Sequence, residues 1–195
     1  MRLNKIQDEY GDKVDIGYRS FLLRPEPDPD CVFNDYRRAH WINANDQPES
    51  GDFRMWESDE KFPVCSIVSA EAGLAARDQG KAFWDRFHLN LLTAFFTENR
   101  NISDAAVLMG VAEESGLDVD SFRDDLESGV NRRRVVEEYV EAVNRYGISG
   151  IPSVVVNEEA VMVGAVPSEH YRHVIDNILE TGVLPKKFSG DLPTV

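Results

Sequence analysis

The chain has 195 residues, enough for one domain with its own core or one domain carrying an insertion. A net charge of −14 excludes the basic face that nucleic acid or an anionic membrane surface would require. Two cysteines are too few for a disulfide scaffold, no apolar run reaches the roughly 18 residues that cross a bilayer, and Met1-Arg2-Leu3-Asn4-Lys5 leads into no apolar leader segment. The expectation is a soluble cytoplasmic protein.

Leu3, Ile6 and Tyr10 have helical spacing, and Gly11 is placed to end that helix. Val14, Ile16 and Tyr18 then alternate with Asp15, Gly17 and Arg19, which predicts a half-buried strand over 13–22. Pro25, Pro27 and Pro29 cannot continue a ladder and mark an extended loop. A short helix is expected over 34–45, followed by a loop over 46–64 that mixes polar residues with Phe53, Trp56 and Phe62. The middle reads as helices over 66–79, 81–97, 104–116, 119–128 and 132–146. Gly80, Gly116, Gly129 and Gly147 punctuate them, and Ser103 is the expected cap of the third. The end changes character. Ser153–Val156 is a β-branched run, Asn157-Glu158-Glu159 a turn and 160–164 a second strand, before a helix over 169–180 capped by Ser168. Helices of this bulk between strands mean an α/β fold with a helical insertion.

The segment Tyr146-Gly147-Ile148-Ser149-Gly150-Ile151-Pro152-Ser153-Val154-Val155-Val156 is the most informative. Its proline opens a strand, where it has no N–H to give, and X-Pro is the bond that readily goes cis. Taken alone, the residues favour an ordinary trans proline at a strand boundary. The run Gly150-Ile151-Pro152-Ser153-Val154-Val155-Val156, followed by Val163-Gly164-Ala165-Val166-Pro167-Ser168, resembles the cis-Pro loop and closing hairpin of DsbA-like thioredoxin-fold oxidoreductases. Upstream, Ser69-Ala70, Gly73-Leu74-Ala75, Gln79-Gly80-Lys81 and Phe83-Trp84 resemble the helical domain of the FrnE-type subgroup. So do Phe87-His88, Leu91-Leu92 and Asn101-Ile102-Ser103-Asp104. Tyr18-Arg19-Ser20-Phe21-Leu22-Leu23-Arg24-Pro25 is similar to that group's second strand and its following loop.

The resemblance implies a thioredoxin-like α/β fold with an all-helical insertion. It divides the chain into a partial thioredoxin-like half over 1–62, a helical insertion over 63–147 and a closing ββα over 148–195. The implied activity is thiol–disulfide exchange on a disulfide or dithiol substrate, protein or small molecule, with no cofactor. Gly150, Ile151 and Pro152 would hold the substrate, Ile151 offering its backbone for strand-like pairing. The departure from the family pattern matters as much. That family carries a C-x-x-C after its first strand, at a helix N-terminus that acidifies the attacking thiol. This chain has neither motif nor strand, and so no catalytic residue is assigned. Its first helix, at about Leu3, corresponds to a point inside the family's first helix. The family pattern would place about 15–25 further residues ahead of it. The expectation is an upstream extension that supplies the missing strand, or a sheet completed by a partner strand.

Cys65 falls at the expected N-terminus of the 66–79 helix, where a thiol is acidified. It is the candidate reactive thiol, set against the ordinary reading of a small, semi-buried side chain, which the residues favour. Cys31 lies in the proline-rich loop, and nothing in the sequence argues for a bond between the two. His170 and His173, at i, i+3, lack a further ligand cluster and read as exposed helix residues, so no metal is assigned. His88 reads as a packed residue of the aromatic helix, and Arg132-Arg133-Arg134 as a solvated run with local pairing. Two other functional readings stand beside exchange. One is a glutathione-dependent enzyme of the same fold, such as a kappa-type transferase or a 2-hydroxychromene-2-carboxylate isomerase. The other is a non-catalytic module that grips extended peptides. A homo-oligomer is left open. Finally, 15 arginines against 6 lysines, with acids dispersed along the chain, suit a protein kept in strong salt as well as an ordinary acidic one.

Overall fold

The computed structural model describes residues 2–185. Contacts divide the described chain into two units, residues 2–18 with 141–185 and residues 19–140. The last ten residues of the expected 148–195 segment, 186–195, lie outside the described residues.

The Arg19–Val140 unit is helical: α2 (Asp35–Asn45), α3 (Ile67–Asp78), α4 (Lys81–Phe96), α5 (Ala105–Glu114), α6 (Val119–Ser128) and the first turns of α7 (Arg132–Asn144). Small residues make α3 its axis. Ala72, Ala75 and Ala76 are fully buried, and at Gly73 a β-carbon would stand 3.2 Å from the Trp84 ring, so α4 approaches closely there. Phe87 and Phe122, with ring centroids 5.5 Å apart, fill the core beside Leu108 and Val111. A second, aromatic core forms where the 31–62 segment meets the end of α4. Trp41 is its hub, with Phe33 at 4.9 Å, Phe96 at 5.1 Å and Phe95 at 5.4 Å in edge-on geometry. The loop over 46–64 is thus held by rings rather than by secondary structure.

Side-chain caps start three of these helices. Asn34 accepts from the Arg37 N–H, Asp104 from the Ala106 N–H, and Asp118 from the Asp120 and Ser121 N–H groups. The cap expected of Ser103 is therefore made by Asp104, because Ser103 is engaged elsewhere. Helices α3 and α7 are joined by three ion pairs. Arg132 forks onto Glu71 at 2.8 and 3.1 Å, Arg77 reaches Glu138 at 2.7 Å, and Arg134 pairs with Asp78. Arg133 pairs with Glu137 along its own helix. Each arginine of the basic run is paired, as expected.

The other unit contains α1 (Arg2–Tyr10), β1 (Ser153–Val156), β2 (Ala160–Val163) and α8 (Ser168–Thr181). β1 and β2 form an antiparallel hairpin in register Ser153↔Val163 to Val156↔Ala160. Its turn places Asn157 and Glu158 at φ of 49° and 59°, the left-handed backbone that primed hairpin turns use. Helices α1 and α8 bury Ile6, Tyr171, Val166 and Met162, with Val154 and Val156 of β1 and Ile16 packed against them. Arg2 ties the N-terminal helix to the carbonyls of Ala165 and Val166, and Arg172 pairs with Glu9 at 2.9 Å.

Two sequence expectations are corrected here. The strand predicted over 13–22 does not form. Residues 11–13 make a 3-10 turn, and residues 14–20 carry no regular structure even though their exposure alternates as the sequence does. Alternation supplies one face to a core, but a strand also needs a neighbour for its backbone, and among the described residues the only sheet is β1–β2. Ser168 does not cap the last helix. Pro167 holds that position with no side-chain bond, and Ser168 is the first helical residue, buried.

Candidate functional site

The three residues expected to hold a substrate stand together in the hairpin unit, on the loop between α7 and β1. The loop is fixed from both sides. The Gly147 and Ile148 N–H groups donate back to the carbonyls of Val143 and Ala142, and Ile148 is buried. Gly147 sits at φ 64°, the left-handed conformation a helix C-terminus commonly takes. At the other end the Gly164 N–H donates to the Pro152 carbonyl at 2.8 Å, and the Ser153 hydroxyl donates to the Gly150 carbonyl at 2.8 Å. The Ile151–Pro152 peptide bond is cis.

Between these anchors Ile151 is 53% exposed, an apolar side chain presented to solvent next to the exposed ring of Pro152. The loop runs directly into β1, which has β2 on one side and, among the described residues, no strand on the other. A backbone edge and an apolar side chain are what an extended peptide needs for strand-like docking. Arg145 flanks the loop and forks between Glu141 at 2.9 Å and Glu158 at 2.7 Å.

Cys65 lies in the other unit, immediately ahead of α3. It is 7% exposed, and Ser103 brackets it: the Cys65 N–H donates to the Ser103 hydroxyl, which donates in turn to the Cys65 carbonyl at 3.1 Å. Ser66 does not cap α3; its hydroxyl accepts from the Arg24 N–H. Cys31 is 6% exposed in the aromatic core, its Sγ accepting from the Arg37 guanidinium at 3.3 Å. Both thiols are free. A thiol attacks only when it is ionised and can be reached. Neither cysteine is presented to solvent in this conformation.

Burial is the first cause holding the His88 imidazole below its ordinary pKa, with Asp85 opposing it, and the ring stacks on Trp84 at 5.0 Å. Burial likewise comes first in pushing the Tyr10 hydroxyl up to about 12, helped by its 2.8 Å hydrogen bond to Asp176. His170 and His173 sit on α8, and among the described residues no group of three or more His, Cys, Asp or Glu side chains could hold a metal ion.

Sequence reasoning did not single out Glu71, a buried carboxylate in the middle of α3, or Ser103 as the clamp of Cys65. Glu71 had a legible signal, since a lone acid inside an alanine-rich apolar helix calls for a buried cation. Ser103 had none, because its contact spans 38 residues.

Among the described residues no helix is long and apolar enough to cross a membrane. The family model of the DSBA-like thioredoxin domain matches residues 53–176. Uncharacterized protein YwbO of Bacillus subtilis is 27% identical over 177 residues, spanning 86% of this chain and 84% of that protein. The ClpXP adapter protein SpxH of Shouchella clausii is 26% identical over 152 residues, 75% of this chain but only 48% of that protein. Among solved structures, the putative protein disulfide isomerase from Nitrosomonas europaea superimposes with a TM-score of 0.72 at 17% identity, covering 92% of this chain and 88% of the other. The helical insertion and the closing ββα are therefore those of a thioredoxin-like α/β fold, as the sequence led one to expect.

Proposed function

Since the chain belongs to the DSBA-like thioredoxin domain family, a family of thiol–disulfide oxidoreductases, we propose that it acts on disulfide or dithiol substrates by holding an extended segment of them against the Gly150–Pro152 loop. The observation that supports this most is the exposed Ile151 on a loop anchored at both ends and continuous with the outer edge of β1. Ile151 offers backbone groups for strand-like pairing and an apolar side chain for contact, and an edge of this kind is tolerant of sequence. Exchange itself needs a thiolate that attacks one sulfur of the substrate disulfide, forms a mixed disulfide and releases the other sulfur as a thiolate. Cys31 and Cys65, at 6% and 7% exposure, are poor candidates for that step. The 195 residues thus supply the substrate-holding half of an exchange site.

The same burial favours a second reading, a module that binds extended peptides and performs no chemistry. The partial similarity to an adapter protein is in keeping with it. Neither reading calls on a cofactor; tight binding of glutathione would instead point to a transferase or isomerase of the same fold.

The test pairs chemistry with binding. Reduction of insulin disulfides is followed with the native chain and with separate Cys31→Ser and Cys65→Ser variants. Binding of a reduced, alkylated, unfolded polypeptide is followed by fluorescence anisotropy. Expected is peptide binding that Ile151→Asp weakens about tenfold, or about 1.4 kcal/mol; insulin reduction faster than with the small-molecule reductant alone rules out the non-catalytic reading, which predicts none. Insulin reduction lost on replacing Cys65 would make that thiol the nucleophile. Peptide binding indifferent to Ile151→Asp would remove the loop from the site.

A further inference from the structure

We draw no further inference here: the strongest candidate, the outer backbone edge of β1 in the hairpin unit, carries nothing beyond the loop site already described, because nothing in the structure shows what else covers it.

Discussion

Replacing Arg132 by Met isolates the ion pair that joins α3 to α7. The Glu71 side chain is 4% exposed and accepts two bonds from a guanidinium that is itself 58% exposed. Removing one partner of a fully buried pair costs about 3–5 kcal/mol, because the remaining charge is left without compensation. Here water can follow into the space the guanidinium leaves, and screening on that side lowers the expectation to about 1.5–3 kcal/mol. For a chain of this length that is a drop in melting temperature of about 3–12 °C. Urea denaturation followed by far-ultraviolet circular dichroism measures this. A Glu71→Gln/Arg132→Met double variant should recover part of the loss, because no buried charge remains. An Arg132→Met protein within about 0.5 kcal/mol of the parent would refute the reasoning, since that is the range of an ordinary surface substitution.

His88 is favoured in its neutral form by the fold, so its contribution to stability is present above the unfolded imidazole pKa of about 6.5 and is lost as pH falls through its lower folded value. Imidazole NMR titration should show His88 protonating below the ordinary imidazole value of about 6.5; an ordinary titration would contradict its burial. Tyr10 runs the other way. With the folded hydroxyl at about 12 against about 10 unfolded, its contribution is intact below about pH 10 and fades as pH rises through 12. Tyr10→Phe should remove a tyrosinate absorbance that appears only well above pH 10. With a net charge of −14, raising KCl from about 0.1 M to about 1 M shortens the screening length from about 10 Å to about 3 Å and should raise the melting temperature. A melting temperature that is flat or falling with salt would argue against self-repulsion as a destabilising term.

How much was legible differs between the two units. The helical spans over 34–45 and 66–146 are readable because periodicity, caps and glycine stops are local, and each observed helix lies within a few residues of its expected span. The hairpin was readable for the same reason, since Asn157 stands between two β-branched runs. The loop from Gly150 to Pro152 was found through its resemblance to a family, and the structure adds what anchors it: the Gly164 N–H on the Pro152 carbonyl and the inward turn of Ile148. The segment over 13–22 shows the opposite case. Val14, Ile16 and Tyr18 alternate like a strand, and they do turn one face inward, yet no strand forms.

Side-chain periodicity is written residue by residue, so the sequence by itself determined which faces are apolar, where helices start and stop, and that a proline opens the last hairpin. Whether a backbone edge finds a partner, and whether a thiol is reachable, depends on segments far apart in the chain. Only the tertiary structure decided that Cys65 is clamped by Ser103 and buried, that Glu71 takes Arg132 as its counter-ion, and that Ile151 is left facing solvent beside the outer edge of β1.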